Sequence, residues 1–369
     1  MRTHNARKYT DVLRSCLVQD KKPVALFVGA GCPLAVRIEG QPLIPDIAGL
    51  TATIATEIAK SEHAQTWETV LAQCNQAIKK PTIEDILTHV RALVQVAEAG
   101  VLNGLKRESL GGLDRAICSQ IASTVSKSLP ASGTPYHQLA RWIASIPRTE
   151  PIQLFTTNYD LLLEQALEEE HVPYFDGFVG GRRAFFDINA IEEDVLPARW
   201  ARLWKLHGSI NWQADKNDVV RIAAGAYPEQ YLIHPSHLKY DQSRRMPYLA
   251  MLDRLRHFLR VKGAVLITLG YSFGDQHLNE ALIQGLSANR TAAVFGLLYP
   301  ALESLRSNVE FSRRLPNCSI FARDSAIIGG QQCSWNNDDG NSAEFPMGDF
   351  LEFGKMLQAI TGDSSIGAT

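Results

Sequence analysis

The order of apolar and polar positions changes character along the chain. Between Ala6 and Val18, the positions Tyr9, Val12, Leu13, Cys16 and Leu17 recur at helical spacing and predict an amphipathic helix. Pro23–Val28 is a continuous apolar run that predicts a buried strand leading into the turn Gly29-Ala30-Gly31-Cys32-Pro33. From Asp46 to Ile146 the spacing is helical almost throughout, with starts expected near Asp46, Thr66, Thr82, Leu113 and Pro135 and no run that reads as a strand. Thr82 with Asp85 resembles a capping pair, while Lys80-Pro81 and Gly111-Gly112 read as breaks. From residue 152 strand and helix alternate. Strands are predicted over Ile152–Thr157, Arg202–Leu206, Ala264–Leu269 and Ala292–Tyr299, with helices over Asp160–Glu170 and from Asp275. Gly329–Glu344 is polar and reads as a mobile loop before a last helix near Met347–Ile360.

Strands that each feed a helix or loop at their C-terminal end predict an α/β fold, a Rossmann-like doubly wound parallel sheet with a large helical insertion. Residues 1–45 and 150–330 would make the sheet domain, 46–149 the insertion, and 331–369 a loop and C-terminal helix. The insertion reads equally as a lid or oligomer surface and as a helical layer that covers the sheet.

Composition narrows the class. Of the 369 residues, 45 % are apolar and 21 % charged, enough for a sizeable core. The net charge of −2, with no block of five or six like charges, argues against a general nucleic-acid or membrane-surface binder. No apolar run reaches the length of a membrane span, and the N-terminal stretch is polar, so a cytoplasmic location is expected. Cys16, Cys32, Cys74, Cys118, Cys318 and Cys333 form no Cys-x-x-Cys pair, so no structural zinc or other metal is expected.

Glycines 29 and 31 follow a buried strand, where they permit a tight turn and a close backbone approach to phosphate. Position 34 is Leu rather than the third Gly of a dehydrogenase fingerprint, and Asp46 has the position of a helix N-cap, which disfavours hydride transfer. Thr156-Thr157-Asn158-Tyr159-Asp160 ends one strand, where an amide and a carboxylate two residues apart could face a ribose or simply start a helix. His207-Gly208 ends another strand, and a histidine there has the reach for general-base work. Gly270-Tyr271-Ser272-Phe273-Gly274 has the form of a hydrolase nucleophile elbow. The histidine that such an enzyme needs further along is missing, since His277 lies in the helix the elbow would start. Gly270 and Ser272 then offer backbone and hydroxyl groups to a phosphate or ribose. His234 and His237 lack a third ligand and read as structural or surface residues.

Together these motifs resemble the sirtuin family, in particular the bacterial sirtuin-like NAD hydrolases of antiphage defence. The resemblance rests on Gly29-Ala30-Gly31-Cys32, Ile44-Pro45-Asp46, Thr156 to Asp160, His207-Gly208 and Gly270-Tyr271-Ser272, in the family's order. It covers residues 24–46 and about 150–300 and departs from the family at two points. Cys32 stands where a Ser is usual. No Cys lies between His207 and Gly270, where deacylating sirtuins carry a four-cysteine zinc module. The resemblance implies NAD as substrate, with water as acceptor. By that resemblance Asn158 orients the ribose or water, and His207 acts as base. Asp160 holds the ribose–nicotinamide end, and Gly29, Ala30 and Gly31 with Gly270 and Ser272 the pyrophosphate and adenosine side. Cys32, Asp46 and Thr157 are further cofactor-binding positions by the same resemblance. It also implies a homo-oligomer that docks a HerA-type ring ATPase. A protein deacylase and a non-catalytic sensor of NAD or ADP-ribose are the alternatives.

Overall fold

The structure, a computed structural model, describes residues 3–97, 101–102, 104–131, 133–215, 218–222, 231–233, 247–338, 341 and 343–362. His234 and His237 lie outside the described residues. Among the described residues, ten strands form the main sheet: β1 (His4–Asn5), β2 (Val24–Val28), β3 (Gln153–Thr156), β4 (Tyr174–Phe175), β5 (Ala201–Lys205), β6 (Val265–Leu269), β7 (Ala293–Leu297), β8 (Cys318–Phe321), β9 (Ser325–Ile328) and β10 (Gln331–Asn336). Their spatial order is β1-β10-β9-β8-β7-β6-β2-β3-β5-β4. The seven strands from β8 to β4 in that order are parallel, and only β9 runs against its neighbours β8 and β10.

Alternation along the central strands feeds two cores. Val24, Leu26, Val28, Leu154 and Leu203 point into one, while Ala25, Phe27, Phe155 and Trp204 point into the other. On the first face lie α1 (Ala6–Val18), α6 (Pro135–Ser145), α7 (Leu162–Glu169) and α10 (Phe350–Thr361), through Leu13, Leu17, Tyr136, Leu163, Phe353 and Leu357. On the second lie α8 (Tyr248–Arg260) and α9 (Gln276–Ala288), through Met251, Leu255, Leu278 and Leu282. Helices on both faces of a largely parallel sheet make this an α/β fold of the doubly wound kind.

Between β2 and β3 come α2 (Ile47–Ile58), α3 (Ala64–Ala77), α4 (Ile83–Val96) and α5 (Arg107–Val125), ahead of α6. Their buried faces, among them Ile54, Val70, Ile86 and Ile117, are continuous with the first core. Asp46 and Thr82 cap α2 and α4, with Asp85 completing the capping box at Thr82. α6 packs against α7 and α10, so the last helix of the predicted insertion belongs to the layer on the sheet.

Four expectations are corrected. Gly111-Gly112 does not break a helix: α5 begins at Arg107, and Gly112 lies where a Cβ would come within 2.8 Å of His63 Cε1. A short hairpin pairs Val101–Leu102 with Leu105–Lys106 inside the stretch read as free of strands. Gly329–Glu344 is not a loop throughout but contains β10, paired with β9. Gly329 and Gly330, both at positive φ (56° and 80°), make the two-residue turn between those strands. Trp335 of β10 stacks on Phe345 at 4.9 Å, which anchors the segment despite its polar composition. Finally, a five-stranded antiparallel sheet that the spacing did not predict joins Phe178–Val179, Ala184–Phe186, Gly208–Asp215, Asp218–Arg221 and Tyr231–Ile233. No helix among the described residues is long and apolar enough to cross a membrane.

Candidate active site

Strands β6, β2, β3 and β5 are neighbours and parallel, so the turns at their C-terminal ends converge on one rim of the sheet. The turns after β2 and β6 interlock. Gly29 N donates to Leu269 O at 2.8 Å, and Gly31 N donates to Gly270 O at 2.9 Å. A Cβ on Gly29 would lie 2.5 Å from Gly270 O, and one on Gly270, whose φ is +61°, 2.5 Å from Cys32 N. These glycines are therefore required by the approach of one turn to the other, a constraint that exists before any phosphate is considered.

The rim forms one wall of a cleft of about 310 Å³, within the range of small-molecule sites. Ala30, Thr157, Asn158, Asp160, His207, Gly270 and Ser272 line it, while Ile44, Ile47, Leu50, Thr82, Glu84 and Asp85 form the facing wall. Gly29, Gly31 and Cys32 lie behind the lining, and Cys32 is fully buried, with burial pushing its thiol pKa up. Asp46 does not reach the cleft either: its carboxylate accepts from Gly49 N at 2.8 Å as the cap of α2. A wider hollow of about 640 Å³ runs along α1, but none of the residues lining it is buried. Its polar groups are solvated, so the narrower cleft is where burial can sharpen chemistry.

Within the cleft the polar groups are held from behind. Thr156 Oγ1 donates to Val28 O at 2.7 Å and accepts from Asn158 N at 3.0 Å, which fixes the turn after β3. Asn158 Nδ2 donates to Gly29 O at 3.2 Å, leaving Oδ1 buried with no partner among the described residues. His207 Nε2 lies 3.0 Å from Asp275 Oδ2, and its Nδ1 is likewise buried without a partner among the described residues. Of the cleft-lining side chains, these two carry the unpaired buried polar atoms. Such atoms are costly in a folded protein unless a partner meets them.

Asp160 is 6 % exposed, and its Oδ1 accepts from Leu162 N at 3.1 Å. Burial pushes its pKa up to about 6, against the opposing pull of the Lys205 ammonium. Lys205 itself is buried, donating to the Asp160 carbonyl and, at 2.9 Å, to Glu164 Oε1. Tyr159 OH donates to Glu84 Oε1 at 2.8 Å and so ties the strand rim to α4. Among the described residues no Lys or Arg lines the cleft, and no cluster of His, Cys, Asp or Glu is placed to hold a metal ion. Sequence reasoning missed Asp275, Glu84 and Asp85 as parts of this cleft. Asp275 was visible only as a helix start, and the two acids as a capping pair and its neighbour.

Residues 153–311 match the model of the SIR2-like domain. The matched stretch includes Asn158, Asp160, His207, Gly270, Ser272 and Asp275, and excludes the turn after β2 and helices α1 to α6. No curated protein matches the chain. Similar solved structures include a Sir2 homologue mutant in complex with 2'-O-acetyl ADP ribose, at 11 % identity over 97 % of this chain and 99 % of that one, TM-score 0.40. Another is a Sir2 homologue–NAD complex, at 13 % identity over 85 % and 94 % of the two chains, TM-score 0.37. Overlaps of this size do not carry side-chain positions from one protein to the other.

Proposed function

We propose that this cleft hydrolyses NAD at its nicotinamide–ribose bond, giving nicotinamide and ADP-ribose. The observation that carries the reading is the pair of buried, unpartnered atoms, Asn158 Oδ1 and His207 Nδ1, on one cleft at the strand ends of a SIR2-like region. The C1′–N bond breaks with its electron pair going to the pyridinium, which leaves as neutral nicotinamide. Water adds its oxygen to C1′, as in glycoside hydrolysis. His207 takes the proton from that water or from a ribose hydroxyl, and Asn158 Oδ1 accepts from the group being oriented. Glu84, Asp85 and Asp160, with no Lys or Arg beside them among the described lining residues, give the cleft an acidic cast that favours the cationic pyridinium end. The phosphates would then be met by backbone N–H groups and hydroxyls at Ala30, Thr157 and Ser272.

We further propose, from the motif resemblance, that such activity depletes NAD in antiphage defence and is controlled by assembly. The partner in that reading is a HerA-type ring ATPase acting on a homo-oligomer of this chain. The test of the chemistry is release of nicotinamide from NAD by the purified chain, alone and with its partner. Asn158→Ala and His207→Ala should each lower turnover by about 10²–10⁴-fold with the fold intact. O-acyl-ADP-ribose formed from an acylated peptide would instead establish a deacylase. Binding of NAD or ADP-ribose without turnover would establish a sensor.

A further inference from the structure

We propose that Asp275 is the positioning residue that sets the tautomer of His207, and so decides which ring nitrogen keeps the basic lone pair. The inference rests on the hydrolase reading, and it concerns a residue that the motifs do not single out. Asp275 is the N-cap of α9. Its Oδ1 accepts from His277 N at 2.9 Å and from Leu278 N at 3.2 Å. Its Oδ2 lies 3.0 Å from His207 Nε2, and both side chains are almost wholly buried, at 4 % and 9 % exposure.

An ionised carboxylate only accepts hydrogen bonds, so Nε2 must carry the hydrogen. The helix N-terminus favours that ionised state, because two backbone N–H groups and the helix dipole face the carboxylate. In the neutral ring the lone pair is then left on Nδ1, the buried atom without a partner among the described residues. The opposite tautomer would set a lone pair of Nε2 against the carboxylate and leave an N–H on Nδ1. One carboxylate thus divides its work: one oxygen ties down α9, and the other orients a histidine delivered by β5. The turn from Gly270 to Gly274 holds the two at that separation, since it joins β6 directly to the cap.

Asp275→Asn isolates this role. Asn caps helices as well as Asp, so its Oδ1 keeps the two backbone N–H groups. Its Nδ2 then presents hydrogens to His207 Nε2, which must accept, and the hydrogen moves to Nδ1. The expected result is a fall in kcat of at least about 10²-fold, with the KM for NAD and the thermal midpoint close to those of the wild type. The ¹⁵N resonances of His207, assigned by difference from His207→Ala and recorded with the ring neutral, should show the Nε2–H form in the wild type and the Nδ1–H form in Asp275→Asn. A wild-type Nδ1–H signature, or wild-type kcat in a folded Asp275→Asn protein, overturns the proposal. If the variant fails to fold, the wild-type spectrum alone decides it. If the wild type releases no nicotinamide, the hydrolase reading fails, while the tautomer measurement still decides the part assigned to Asp275.

Discussion

Replacing Asp160 by Asn should make the protein more stable at neutral pH and less active. Asp160 is 6 % exposed, and its pKa is pushed up from 3.8 to about 6 by burial, in spite of Lys205. A raised value means that the folded state binds the proton more tightly than the unfolded chain. The stabilisation from protonated Asp160 is therefore complete below pH 3.8 and is lost as pH rises through 6. At about 1.4 kcal/mol per pH unit, holding the carboxylate ionised at pH 7.5 costs the fold about 3 kcal/mol. Asn keeps the acceptor that Leu162 N uses, at 3.1 Å in the wild type, and carries no charge. Urea unfolding of the two proteins at pH 4.0 and pH 7.5 measures the effect. The variant should match or trail the wild type at the lower pH and exceed it by up to about 3 kcal/mol at the higher one. In the same preparations NAD turnover should fall. A stability difference that does not change between the two pH values would refute the reasoning, because it would mean that the folded carboxylate titrates as it does in the unfolded chain.

Gly29→Ala should destabilise the fold by about 3 kcal/mol, seen in chemical unfolding, because its Cβ would lie 2.5 Å from the Gly270 carbonyl and neither backbone can yield. Lys205→Met should cost about 3–5 kcal/mol, because it leaves the buried Asp160 and the half-buried Glu164 without their cation, and Glu164→Leu added to it should restore only part of the loss in the same assay. Light scattering at micromolar concentration should show a homo-oligomer, and co-purification with the ring ATPase should raise NAD turnover. A monomer already fully active alone would overturn the assembly model.

The central strands were legible because apolar runs bounded by Gly, Pro and Asn leave few readings, as with Val24–Val28 before Gly29. Two of the segments that the spacing misjudged are ones where an isolated contact overrode composition. The polar stretch after Ile328 is a strand because Trp335 buries itself on Phe345 and two glycines supply a tight turn. Gly112 sits inside a helix, where His63 occupies the space a Cβ would need, so the glycine marks a close contact and not a break. Five of the proposed site motifs could be quoted from the sequence, but their relative depth could not. Asp46 looked like Asp160 in linear sequence, yet one is an exposed cap and the other is buried beside an ammonium. The link between Asp275 and His207 spans two separate strands and a turn, and no local spacing encodes it.

Both outermost strands of the main sheet, β1 and β4, are two residues long. Each offers a docking strand almost no ladder to extend, which discourages stacking of sheets end to end. β1 also runs straight into α1, so even that short rail is interrupted by a helix at its end. A self-assembling form of this protein is thereby steered toward contacts between helices or loops.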